Sequence, residues 1–134
     1  MPVSWGRPPT ELSREQICVV DDDEGVADSL KLLLETFGYD VQSYNSGADL
    51  LADDRRRAAD CMIIDHHMPN MNGLDLVDRL QKEGGRVPMI LISGRLDTST
   101  KERALSLGIT SVLEKPFAAD CLVDLIRMVL TERN

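Results

Sequence analysis

The chain has 134 residues, 43% hydrophobic and 28% charged, enough for one globular domain with its own core and no staples. Its formal net charge of −8 at pH 7 opposes nucleic-acid phosphates and anionic lipid, so direct nucleic-acid or membrane binding is not expected. No apolar run approaches the ~20 residues of a membrane span, and MPVSWGRPPTELSREQ lacks the apolar stretch of a secretory leader, so a cytoplasmic location is expected. In that setting Cys18, Cys61 and Cys121, each beside aliphatic residues, are expected to be reduced, buried thiols.

Residues 1–15 read as a flexible extension, because Pro2, Pro8 and Pro9 break any helix and no periodicity appears; residues 16–134 read as the folded domain. Ile17–Val20 is an apolar strand ending abruptly in Asp21-Asp22-Asp23. Val26, Leu30, Leu33, Leu34 and Phe37 follow at helical spacing, and Gly38 closes that helix. Asp40–Tyr44 reads as a strand, and Ser46 opens a short helix. Cys61–Ile64 is a buried strand leading into the loop Met68-Pro69-Asn70-Met71-Asn72-Gly73. A helix carries Leu74, Val77 and Leu80, and Pro88–Ile92 is another buried strand. A weaker helix spans Thr98 to Leu107, Thr110–Leu113 is the fifth strand, and Leu122, Leu125, Ile126, Val129 and Leu130 mark the last helix.

This alternation predicts an α/β fold of (βα)₅ type. Nearly continuous apolar strands imply a parallel sheet covered on both faces. Right-handed crossovers then give a doubly wound three-layer sandwich, with sheet order 2-1-3-4-5.

Polar residues interrupt the apolar runs at equivalent places. Asp21 and Asp22 follow the first strand, Asp65 the third, Ser93 the fourth and Lys115 the fifth. In a parallel sheet those positions share one edge. Singly, each has a plain structural reading: an Asp caps a helix, Ser93-Gly94 is a turn pair, Lys115 is a solvated loop residue. Together they bring carboxylates, a hydroxyl and an ammonium to one rim. Close carboxylates repel, and a divalent cation relieves them; hard oxygen ligands favour Mg²⁺ over zinc. A carboxylate beside a cation and an ammonium can attack phosphorus to give an acyl phosphate. His66-His67 is an alternative metal pair, but neighbours in sequence share no face and a third imidazole is missing. No Gly-rich nucleotide loop and no nucleophile elbow is present.

Four motifs, in order, carry a family resemblance: Val19-Val20-Asp21-Asp22-Asp23, Ile63-Ile64-Asp65 through Gly73, Ile90-Leu91-Ile92-Ser93-Gly94, and Lys115-Pro116-Phe117. From about Ile17 to Leu130 the chain resembles receiver (CheY-like) domains of two-component response regulators, and Leu113-Glu114-Lys115-Pro116-Phe117 is most similar to the FixJ-type subgroup. The resemblance implies that Asp65 is the phosphoacceptor, forming an aspartyl phosphate with a sensor histidine kinase as donor. It implies Mg²⁺ held by Asp22, Asp65 and the backbone carbonyl of His67, with Asp21 helping through water. Ser93 and Lys115 would contact the phosphoryl group, and the Lys115–Pro116 bond would be cis. Two flanking positions, His67 and Arg95, are expected to tune phosphoryl lifetime. The family often has an aromatic switch residue three before the lysine; here that position is Val112, so output must proceed otherwise.

The implied protein is a signalling domain that catalyses only its own phosphorylation and slow dephosphorylation. Because the sequence starts at Met1 and stops after the fifth helix, a stand-alone regulator is expected, docking on a target or relaying to a histidine phosphotransfer protein. The alternatives are the receiver portion of a FixJ-like transcription factor and a pseudo-receiver that only binds partners. A doubly wound hydrolase with an aspartyl nucleophile fits less well, since the second acid such enzymes need is replaced by His67. The resemblance also implies homodimers through the fourth helix, fifth strand and fifth helix, a surface including Lys101, Arg103 and Arg127.

Overall fold

The computed structural model describes residues 14–132. The expected flexible extension therefore lies almost wholly outside the described residues.

Five strands, β1 (Gln16–Val20), β2 (Asp40–Tyr44), β3 (Cys61–Asp65), β4 (Met89–Ser93) and β5 (Val112–Glu114), form one parallel sheet in the order β2-β1-β3-β4-β5. Helices α1 (Glu24–Thr36), α2 (Gly47–Ala52), α3 (Gly73–Lys82), α4 (Thr98–Ser106) and α5 (Ala119–Glu132) alternate with them. The doubly wound architecture is as expected. Among the described residues no helix is long and apolar enough to cross a membrane.

The central strands are buried on both faces, so their residues alternate between two cores. Ile17, Val19, Ile63, Ile90 and Ile92 pack against α1 and α5 through Leu30, Leu34, Leu122 and Ile126. Cys18, Val20, Ile64 and Leu91 pack against α2, α3 and α4 through Leu50, Leu74, Val77 and Ala104. Burying a side chain of Ile126's size contributes about 2 to 3 kcal/mol, and Ile126 is fully buried.

Helix starts follow local chemistry. The side chain of Asp23 caps α1 by accepting from the Val26 N–H at 3.1 Å, and Asp97 caps α4 through Thr100 at 2.9 Å. At α3, Asn72 and Asp75 form a reciprocal capping box, satisfying two N–H groups that the first turn leaves unpaired.

Three details depart from the sequence reading. The fifth strand is Val112–Glu114, later than Thr110–Leu113, because its ladder opens where Val112 faces Leu91. A 3-10 turn at Asp54–Ala58 was not foreseen. Cys18 and Cys61 are buried, but Cys121 is exposed: it sits off the Leu122, Leu125, Ile126, Val129 stripe that turns α5 inward. Burial pushes the Cys18 thiol up to about 11, so it is inert.

Candidate functional site

The sheet reverses its winding direction between β1 and β3, and in doubly wound sheets the carboxyl ends of the strands at that point are where sites form. Backbone bonds extend the ladders past those ends. Asp21 donates to the Tyr44 carbonyl at 3.0 Å, His66 to Ile92 at 2.8 Å and Lys115 to Ser93 at 2.8 Å. These bonds fix the level at which each polar residue emerges.

Asp21, Asp22 and Asp65 meet there. A carboxylate oxygen from each lies within 4.8 Å of the others, with Asp22 exposed and Asp21 and Asp65 only 3% and 4% exposed. Lys115 Nζ stands 3.1 Å from Asp65 Oδ1 and 3.7 Å from Asp21 Oδ2. The Lys115–Pro116 peptide is cis. The sequence-predicted acids and the lysine therefore converge, although they come from three separate segments.

Burial raises the Asp65 carboxyl above its usual range, and the Lys115 ammonium works against that shift. Burial likewise raises Asp21; the Asp23 N–H, donating to Asp21 Oδ1 at 2.9 Å, opposes it, while the charge of Asp65 adds to it. For Lys115, burial acts downward, yet the bond and charge of Asp65 outweigh it and hold the ammonium above its usual value. One cation thus faces two buried acids and one exposed acid. The donor set is all carboxylate oxygen, and the buried Asp65 Oδ1 has an ion pair but no well-aligned hydrogen bond. Such a cluster suits a hard divalent cation.

Gly73 lets the loop after β3 fold back on that strand. Its N–H donates to the His66 carbonyl at 3.0 Å. A Cβ there would come within 2.7 Å of the Asp65 carbonyl oxygen and 2.8 Å of His66 Cα. In the same loop Asn70 adopts φ 69°, a left-handed conformation that Asn tolerates.

Ser93 is fully buried at the end of β4, and its hydroxyl has three partners. Oγ donates to the Arg95 carbonyl at 2.7 Å, accepts from the Arg95 N–H at 3.1 Å and meets His67 Nε2 at 2.8 Å. The sequence reading singled out His67 and Arg95 but missed this link. Tertiary packing joins residues 26 apart, and only the position of His67 two after Asp65 hinted at it. His66 stands edge-on to His67, centroids 5.2 Å apart, and its burial lowers its pKa. Among the described residues neither histidine joins a group able to hold a metal.

Val112 borders an open groove of about 300 Å³ between α4 and β5, with Leu96, Leu105 and Ile109 on its walls. An aromatic side chain at that position would have filled part of it.

The family model described as response regulator receiver domain matches residues 17–127. Curated relatives include the response regulator protein TodT of Pseudomonas putida, 35% identical over 114 residues that make up 85% of this chain and 50% of TodT. The transcriptional regulatory protein FixJ of Azorhizobium caulinodans is 33% identical over 112 residues, 84% of this chain and 53% of FixJ. The chain thus spans about half the length of these relatives. Among solved structures, a CheY-like receiver domain protein from Methanospirillum hungatei superposes with TM-score 0.83 at 26% identity, covering 89% of this chain and 95% of that one.

Proposed function

Because the chain belongs to the response regulator receiver family, we propose that Asp65 accepts a phosphoryl group from a partner histidine kinase and that the phosphorylated domain signals by docking. The observation that carries this reading is the pairing of a buried carboxylate with an ammonium at 3.1 Å, beside two further carboxylates.

An Asp65 carboxylate oxygen attacks the phosphorus of a kinase phosphohistidine. A P–O bond forms, the P–N bond breaks, and the imidazole leaves with the electron pair. Attack requires the carboxylate form of Asp65, which burial disfavours and Lys115 favours. Asp21, Asp22, Asp65 and the backbone carbonyl of His67 would hold Mg²⁺, which when bound offsets the negative charge of the transferring group. Lys115 remains beside the acceptor and neutralises phosphoryl oxygens, and Ser93 donates its hydroxyl to one of them. The domain catalyses only this transfer and the slow hydrolysis in which water attacks the phosphorus, inorganic phosphate leaves and the Asp65 carboxylate is regenerated.

Phosphotransfer from a panel of histidine kinases tests the proposal. Labelled wild type and unlabelled Asp65→Asn are expected. Label retained by Asp65→Asn overturns the choice of acceptor.

The length of the relatives favours a second reading, in which this chain is the receiver part of a longer regulator. The length of the native polypeptide in cell extract, detected with an antibody to this domain, separates it from a single-domain regulator docking on a target or on a histidine phosphotransfer protein.

A further inference from the structure

We infer that the His67 side chain restrains Ser93 before phosphorylation, so that the hydroxyl must leave the ring before it can serve the phosphoryl group. The inference rests on the reading of Asp65 as phosphoacceptor.

A serine hydroxyl offers one proton and two lone pairs. At Ser93 the proton has two claimants, the Arg95 carbonyl and His67 Nε2, and a lone pair accepts from the Arg95 N–H. Either His67 donates from Nε2 and the serine proton goes to Arg95, or the serine proton goes to Nε2. In both arrangements the hydroxyl has no capacity left for a new acceptor. Ser93 itself is fully buried while His67 and Arg95 are exposed, so a hydroxyl released from its partners sits where unpaired polar groups are costly.

The geometry also makes the contact a clasp between loops. His67 lies on the loop after β3, two residues beyond the acceptor, and Ser93 leads into the loop before α4. Turning the hydroxyl toward Asp65 severs that tie and also loosens the Arg95 turn. Leu96 follows directly and borders the groove beside Val112, which leaves room for the segment to shift. His67 is thus a positioning residue acting through Ser93, and it offers an output route that needs no aromatic ring at Val112.

The test is phosphoryl uptake from acetyl phosphate, with no kinase present, in wild type, His67→Phe and His67→Gln, and again with Ser93→Ala in each. Phe keeps the ring's bulk without a hydrogen-bonding atom; Gln restores a polar partner. Uptake by His67→Phe is expected to rise roughly five-fold, the factor that a hydrogen bond of about 1 kcal/mol represents. His67→Gln should fall back toward wild type. In the Ser93→Ala background the same His67→Phe change should alter the rate less than about two-fold, because its partner is gone. Equal or slower uptake by His67→Phe overturns the clasp. So does an acceleration that persists without Ser93, since that marks a change in donor access. Absence of uptake by wild type from acetyl phosphate and from the kinase panel alike would overturn the phosphoacceptor reading itself, and the clasp with it.

Discussion

The two sides of the sheet's carboxyl edge are built differently. On the β1–β3 side, strands of five residues are buried nearly throughout and deliver Asp21 and Asp65 from a closed core. Beyond β4, itself buried throughout, β5 has three residues, none fully buried, and α4 buries only Ala104 while leaving Leu105 65% exposed. The acids whose mutual distance matters to chemistry stand on the rigid half. The segment that would have to move stands on the half with little apolar burial to lose, where local opening is least expensive.

Mutations sharpen the contrast. Ile126→Ala, in the core behind β1 and β3, is expected to lower unfolding stability by about 3 to 4 kcal/mol, whereas Leu105→Ala on α4 should stay within about 0.5 kcal/mol. Urea denaturation measures both, and comparable losses would erase the distinction. Amide exchange should likewise be slower in β3 than in α4.

Gly73→Ala comes next, at roughly 2 to 3 kcal/mol, because the added Cβ strikes backbone at Asp65 and His66 and cannot be absorbed by a side-chain rotation. It should also displace Asp65 and so slow any phosphoryl uptake there. A Gly73→Ala protein of native stability would show that the loop after β3 is looser than its contacts imply.

Asp65→Asn should act in the opposite sense. It removes one of three crowded acids and leaves Lys115 to Asp21 alone. A stabilisation of the metal-free protein by about 1 kcal/mol is expected from relief of like-charge repulsion. Thermal unfolding in chelator measures it; a loss of stability would mean that the Asp65–Lys115 pair outweighs the repulsion.

The smallest effect concerns the tie between the halves. Arg103 on α4 meets Asp75 on α3 at 2.9 Å, and this bond, with the Asn72 N–H, holds the Asp75 carboxyl below its usual range. A lowered folded pKa stabilises above the unfolded value and loses its contribution as pH falls through the folded one. Both side chains are about two-fifths exposed, so the pair is worth under about 0.5 kcal/mol. The stability gap between wild type and Arg103→Gln should be present near neutrality and close as pH falls below the usual carboxylate range. A gap unchanged in acid would assign it to packing of the arginine stem.

The same division governs what could be read in advance. Buried strands announce themselves: three apolar runs stop at Asp21, Asp65 and Ser93, and parallel pairing puts those stops on one edge with Lys115, which the Lys-Pro pair marks after the fifth strand. Asp21, Asp22, Asp65, Ser93 and Lys115 were therefore legible as a set. The weakly buried half was not. The fifth strand, half exposed, has too little contrast along Thr110–Glu114 to mark its start. Arg56 is buried and paired with Glu83 at 3.0 Å, but nothing separates it in sequence from Arg55 and Arg57, both exposed. The His67–Ser93 contact arises only when two loops are folded side by side.

The alternation of side chains along the buried strands has one more consequence. Val19 and Ile63 serve one core, while Val20 and Ile64 serve the other. The sheet is a partition wall, and each compartment can be refilled without disturbing its neighbour. Apolar substitutions that suit α1 and α5 to one partner leave the packing under α3 and α4 unchanged. The acids sit on the edge of the wall, common to both compartments, so the helical surfaces on its two sides can diverge while the acidic rim stays in place.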